Sequence, residues 1–224
     1  MKPIRAARLM LGLFMALYLF WLPARAKEKN EVCLVIGGIV TPSQTLFPGA
    51  SLVGLDGTPL PNRELTFDAS LTMGAEYDRA FFQREKFVID GGVDFLASPF
   101  DVKVSQKSQN AIGQYAFIFL TARVRVKFRP SAAFSPWLSF GGGYARFLEK
   151  APIAASSFKP GTNTGIFVFG GGVDTRPLVR LLKIPIGFRI EARDFYSGQP
   201  NYNHLVTSTL QNNLAFSGGL LLRF

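Results

Sequence analysis

The chain has 224 residues, with 25 Lys or Arg against 15 Asp or Glu, and is 48% hydrophobic and 13% aromatic. This composition is too apolar for a disordered chain, and the length fits one folded domain. The single cysteine, Cys33, excludes an intramolecular disulfide, and a single histidine without a Cys/His cluster excludes a structural zinc site. The sequence therefore predicts no metal site and no cofactor.

The first 26 residues are predicted to be a secretory signal peptide. Three basic residues, Lys2, Arg5 and Arg8, precede an uncharged, mostly apolar run over residues 9–22, and Ala24-Arg25-Ala26 provides an A-x-A cleavage site. The run is shorter than the about 20 residues that a membrane-spanning helix needs. The remaining domain, residues 27–224, has lost four basic residues, which lowers the formal charge from +10 to +6. This charge and the export of the chain argue against a nucleic-acid partner.

After the signal peptide, apolar and polar residues alternate with the period of two that is typical of strands with two different faces. In the clearest run, residues 185–194, Phe188 and Ile190 alternate with Arg189 and Glu191. Strands this long are close to the about 9–11 residues that cross a bilayer at a tilt. Eight strands are predicted, over residues 31–40, 65–77, 87–97, 116–128, 137–147, 165–175, 185–194 and 213–224.

The links between these strands alternate in length. Long links cover residues 41–64, 98–115, 148–164 and 195–212, whereas short links cover 78–86, 129–136 and 176–184. Long loops at one end, short turns at the other and both termini on the short side are typical of a bacterial outer-membrane barrel. The predicted fold class is therefore all-β, an eight-stranded antiparallel transmembrane β-barrel.

Alternation alone does not say which face is inside, because a soluble lipocalin-like barrel would give the same pattern with the apolar face inward. The polar parity, however, carries equal numbers of acids and bases, as an enclosed charge network requires. Aromatic residues such as Tyr77, Phe128 and Tyr144 also fall near predicted strand ends, where an interfacial girdle would lie. The lumen network is predicted to contain Asp68, Glu76, Asp90, Asp94, Asp174 and Glu191 with Arg123, Arg125, Lys127, Arg189, Arg193 and Arg223.

The end of the chain adds a resemblance to a known family. Phe216, Leu220, Leu222 and the terminal Phe224 share one parity and resemble the C-terminal insertion signal of outer-membrane β-barrels. The whole of residues 27–224 looks like a small bacterial outer-membrane barrel domain of the OmpA/OmpX type. The resemblance implies location in the bacterial outer membrane, contact with its lipid and lipopolysaccharide, and insertion by the barrel-insertion machinery.

Three groups of residues are candidate sites. The Arg189, Glu191 and Arg193 ladder could form a conduction path, but an eight-stranded lumen is narrow enough for such side chains to fill it as an ionised plug. His204 with Ser208 resembles the His-x-Ser pair of lipid A deacylases, but the spacing differs and no acid follows Asp194, so His204 is interpreted as a loop histidine. Basic residues that could contact lipopolysaccharide phosphates are Lys103, Lys107, Arg146, Lys150 and Lys159.

The sequence thus predicts a non-catalytic outer-membrane barrel with a structural role or a surface-interaction role through its long outer loops. Two alternatives remain open at this stage. One is a narrow channel for ions or small solutes, and the other is an enzyme that modifies lipid A.

Overall fold

The computed structural model of the protein describes residues 29–45, 52–53, 59–60, 64–106, 113–151, 162–181, 184–198 and 210–224. The predicted signal peptide lies outside these residues. Within them, regular structure is β-strand, and no helix is long and apolar enough to cross a membrane. The long strands are β1 (Asn30–Val40), β2 (Ser70–Gln83), β3 (Phe87–Ala97), β4 (Gly113–Phe128), β5 (Phe134–Ala151), β6 (Thr162–Thr175), β7 (Ile184–Gly198) and β8 (Leu210–Arg223).

These eight strands form a closed antiparallel barrel, which confirms the predicted fold class. Each strand pairs with the next in sequence, and β8 pairs with β1 to close the barrel. Paired residues followed around the barrel from Val40 in β1 return to the same strand at Asn30. This stagger of ten residues over eight strands corresponds to a strand tilt of about 40°, which is within the range of membrane barrels.

The side chains alternate between two environments along each strand. On β7, the Ile190 side chain points outward and is 73% exposed, whereas its neighbours Arg189 and Glu191 point into the lumen and are 1% and 3% exposed. The outer surface is formed by exposed large apolar residues, among them Leu34, Phe95, Leu138, Phe169, Ile190 and Phe216. An apolar exterior around a charged interior is the reverse of a soluble barrel, so the inside-out assignment made from the sequence is confirmed.

The second predicted strand, residues 65–77, is divided in the structure. A short strand, Glu64–Phe67, ends before β2 begins, and the break leaves Asp68 exposed with its backbone N–H donating to the Lys103 carbonyl oxygen at 3.0 Å. The alternation of faces is not carried across this break. The prediction that Asp68 belongs to the lumen network is therefore wrong, because that residue lies on a separate segment beyond the end of β2.

The links confirm the predicted asymmetry and add a small sheet at the long-loop end. Gln44–Thr45 pairs with Glu64–Phe67, which pairs with Val102–Gln106, and this last strand joins the end of β4. Leu65, Val102 and Val104 of this sheet are buried in one cluster with side chains of the lumen. The sheet therefore covers part of the barrel mouth on this side. Two further short pairings join Leu52–Val53 to Pro59–Leu60 and Val179–Leu181 to β7.

Candidate functional site

The lumen is divided into two halves of different chemistry, and β4 shows both. From the long-loop end, its inward side chains are first aromatic, at Tyr115, Phe117 and Phe119, and then a hydroxyl at Thr121. Arg123, Arg125 and Lys127 follow toward the short-turn end. We call the aromatic side the loop half and the charged side the turn half.

The turn half contains a network of ion pairs, which we call the charge network. Its described members are seven acids, Glu31, Glu76, Asp78, Asp90, Asp94, Asp174 and Glu191, and six bases, Arg123, Arg125, Lys127, Arg189, Arg193 and Arg223. Nearly all of these side chains are buried. Removing charges from water is costly, and only close pairing with further hydrogen bonds offsets that cost.

Arginines from β4 and β7 connect the acids of several other strands. Arg189 reaches Glu76 at 2.5 Å, Asp174 at 2.8 Å and Asp78 at 3.3 Å, so one guanidinium links carboxylates of β2 and β6. Arg125 contacts Asp90 at 2.6 Å and Asp78 at 3.1 Å from the opposite wall. These contacts cross the full width of the lumen, which is therefore filled at this level.

Glu31 lies at the turn end of the network and bridges the barrel seam. Its carboxylate is 2.5 Å from Arg125, 2.7 Å from Lys127 and 2.9 Å from Arg223. Glu31 and Arg223 are also directly paired residues of β1 and β8. The ion pair therefore joins the first and last strands where the barrel closes.

A single indole, that of Trp137, packs beneath three arginines of the network. Its ring centre is 5.2 Å from the Arg189 guanidinium and 5.6 Å from those of Arg123 and Arg125, and its Nε1–H donates to Asp174 at 2.9 Å. Gly172 on the neighbouring strand makes room for the ring, because a Cβ there would come within 2.7 Å of the indole. The aromatic face and the N–H thus help to satisfy buried charges.

The loop half is filled by apolar side chains, which we call the apolar plug. Phe119 lies at its centre, with ring centres 5.1 Å from Phe195, 6.0 Å from Phe147 and 4.5 Å from Phe117. The plug consists of Tyr115, Phe117, Phe119, Phe147, Phe195, Val35, Ile39, Leu96, Ile166 and Val168, all buried. It joins the small sheet through Leu65, Val102 and Val104, so the lumen is filled on this side as well.

A cavity of about 710 Å³ opens at the turn end of the barrel. Glu31, Asp90, Lys127 and Arg223 of the charge network line it, together with residues of the short turns such as Arg84. Because these network residues close its inner side, the cavity is a vestibule to the network. Among the described residues, no group of three Cys, His, Asp or Glu side chains could hold a metal ion.

The structure brings together eleven of the twelve residues predicted for the lumen network, all except Asp68. Glu31 and Asp78 were missed. Asp78 lay just beyond the predicted end of its strand, but β2 continues to Gln83, which keeps Asp78 on the inward parity of Glu76. Glu31 belongs to β1, which is apolar on both faces, so its sequence does not show which face is inward. Glu31 has the same parity as the buried residues Cys33 and Val35, and this shared parity is the signal that identifies it as a lumen residue.

The other predicted sites are only partly described. Phe216 and Leu220 are exposed on the outer face, and Leu222 and Phe224 are half-buried on the same parity. Lys103 and Arg146 are exposed toward the loop end, and Lys150 lies in β5. Lys107, Lys159, His204 and Ser208 lie outside the described residues.

Comparisons with known proteins place this fold among solved structures. No family model matches the chain, and no curated protein matches it. The outer-membrane protein OprG of Pseudomonas aeruginosa is similar over 88% of this chain and 97% of its own, with 14% identity and a TM-score of 0.53. The chain has the fold of a small outer-membrane β-barrel.

Two further structures are similar at lower scores. Neisserial surface protein A matches over 87% of this chain and 97% of its own, with 9% identity and a TM-score of 0.47. The attachment invasion locus protein of Yersinia pestis, solved with the heparin analogue sucrose octasulfate, matches over 86% and 99%, with 14% identity and a TM-score of 0.42. At such identities, fold is the extent of the likeness.

Proposed function

We propose that the protein is an integral, non-catalytic protein of the bacterial outer membrane that acts structurally or through its long outer loops. Residues 1–26 would serve as its export signal. The observation that supports this proposal is the filled lumen, in which the charge network occupies the turn half and the apolar plug the loop half. A filled lumen offers no open path to a solute. The surfaces through which such a barrel can interact with other molecules are then its outer loops and its lipid-facing side.

The main competitor, a narrow channel, makes a different prediction for conductance. The protein, folded in lipid vesicles and checked by its heat-dependent gel mobility, is expected to give no current steps in planar bilayers above those of the protein-free membrane. A reconstituted porin in the same lipid is the positive control. Regular current steps that scale with the amount of folded protein would favour the channel.

Insertion into the membrane is proposed to depend on the terminal aromatic residue. Phe224 also exchanges backbone hydrogen bonds with Asn30 across the seam, both at 2.9 Å, so deleting it would disturb closure as well. The variant Phe224→Ala keeps these bonds and removes only the ring. We expect less of it in the outer-membrane fraction, whereas Phe188→Ala, which removes an exposed ring from the outer face, should accumulate normally. Equal loss in both variants would contradict a terminal signal.

Contact with lipopolysaccharide is proposed for the basic residues near the loop end. Arg146 points outward from β5 and is exposed, and Lys103 is exposed on the small sheet. Cationic side chains at this level can pair with lipid phosphates. The contribution of Arg146 to this contact is measured by comparing the protein with its Arg146→Gln variant for their affinity toward lipopolysaccharide in a bilayer. Equal affinities would contradict a contact between Arg146 and the lipid phosphates.

A further inference from the structure

The charge network is not balanced. Its described members are seven acids and six bases, so full ionisation would leave one negative charge without a partner. An uncompensated charge in a narrow, filled lumen is strongly unfavourable. Either a cation or a proton is expected to neutralise it.

Glu191 is the least paired acid at the boundary between the two halves. Among the described residues, its ion-pair partner is Arg193, whose Nη2 is 2.6 Å from Glu191 Oε1. The same nitrogen is 2.8 Å from Glu76 Oε1, and Arg193 Nη1 is 3.2 Å from Asp94. Glu191 therefore shares its cation with two other carboxyls.

Glu76 is paired very differently, although it lies next to Glu191. Besides Arg193, it contacts Arg123 at 3.0 Å and Arg189 at 2.5 Å. Three guanidinium groups thus stabilise the ionised form of Glu76. When two adjacent acids compete for the same cations, the one with fewer partners is the one that is neutralised.

The two carboxyl groups are also neighbours. Glu76 Oε1 and Glu191 Oε1 lie 2.8 Å and 2.6 Å from the same nitrogen, Arg193 Nη2, and two ionised carboxylates brought so close have no hydrogen to share. Glu191 Oε1 accepts from the Ser217 hydroxyl at 2.6 Å, while Glu191 Oε2 is buried and has no donor among the described residues. A proton on Glu191 would turn this contact from a repulsion into a hydrogen bond.

We propose that the lumen binds one proton at Glu191, which then donates to Glu76, so that the charge network is neutral in the folded barrel. The expectation that every network carboxylate stays ionised is revised for this one residue. The groups around this level of the lumen are Cys33 of β1, Glu76 and Asp78 of β2, Asp94 of β3, Arg123 of β4, Ser139 of β5, Asp174 of β6, Arg189 and Arg193 of β7 itself and Ser217 of β8.

The pair of variants Glu191→Gln and Glu76→Gln tests the assignment. An amide has the shape and neutrality of a protonated carboxyl and requires no proton uptake on folding, so Glu191→Gln should not lower the urea midpoint of the vesicle-embedded barrel at neutral pH. Glu76→Gln removes an anion that faces three arginines and should lower the midpoint strongly. A folded barrel that holds this proton binds one proton more than the unfolded chain at any pH above the usual pKa of a glutamate. The urea midpoint of the unsubstituted protein should therefore fall as the pH rises from about 4.3 until the folded state has lost the proton, and this fall should be smaller in Glu191→Gln.

Infrared spectroscopy provides a direct readout. The C=O stretch of a carboxylic acid should be present in the folded protein at neutral pH and absent in Glu191→Gln. Missing acid absorption, or a midpoint that falls as far in Glu191→Gln as in Glu76→Gln, would show that Glu191 is ionised. A urea midpoint that rises with sodium concentration at constant ionic strength, in the unsubstituted protein but not in Glu191→Gln, would show that a metal cation neutralises the network. This result would contradict the proposed proton.

Discussion

The two halves of the lumen perform the same task with different chemistry. Both fill a barrel of the same eight strands and the same stagger, yet the turn half does so with ion pairs and the loop half with aromatic and aliphatic side chains. On β4 the change takes place between Phe119 and Arg123, with Thr121 between them. The comparison shows that a narrow barrel requires a filled interior but does not dictate how it is filled.

The two solutions differ in how specific their contacts must be. An apolar plug is stabilised by close packing, which tolerates substitutions that keep volume and apolarity. A buried ion network can contribute little net stability, but removing one partner leaves an opposite charge buried and unpaired. We therefore expect single substitutions that remove an ionised side chain from the turn half to cost more than comparable substitutions in the loop half, whereas Glu191→Gln, which replaces a neutral group, is exempt.

The largest effect is expected for Arg189→Met. Arg189 contacts Glu76, Asp78 and Asp174, so its removal leaves each of these buried acids with one cation fewer. The loss should be about 3–5 kcal/mol of unfolding free energy, measured by urea unfolding in lipid vesicles. The neighbouring variant Ile190→Met is the control, because it changes the same strand on the lipid-facing side and should cost less than about 1 kcal/mol.

A similar loss of unfolding free energy in Arg189→Met and Ile190→Met would contradict the expected difference between the two halves. It would mean that the position on β7, and not the charge network, determines the cost of a substitution. A small loss in Arg189→Met alone would instead show that water or a cation from solution replaces the guanidinium, so that the turn half is wet.

The sequence was sufficient for the barrel because its information lies in alternation. A period of two fixes which residues share a face, and links of alternating length fix antiparallel order, so eight strands and the inward parity of Arg189 and Glu191 followed. The terminal signal and charge pairing then indicated which face is inside. These are local or counting arguments, and they do not require knowledge of distances.

The features that could not be predicted lie where the alternation of polar and apolar residues does not reveal a break between strands, or where both parities are apolar. The alternation in residues 65–77 continues across the break between the two strands, so it wrongly predicts that Asp68 faces the lumen. The apolar plug was missed because Phe117 and Phe119 alternate with residues that are also apolar, so neither parity stands out. Pairing across the lumen, such as that of Glu31 with Arg125, depends on the stagger of the whole barrel.

A smaller effect is expected for Phe119→Leu in the loop half. Phe119 is buried among Phe117, Phe147 and Phe195, and leucine keeps the site apolar while leaving a modest loss of volume. Since the neighbouring side chains can adjust and no charge is left unpaired, the cost should be about 1 kcal/mol in the same vesicle assay. Leu120→Met, on the exposed outer face of the same strand, is the matched control and should be close to neutral. If Phe119→Leu destabilised the barrel as much as Arg189→Met, packing in the plug would be as specific as the ion pairs, and the two halves would differ in composition but not in tolerance.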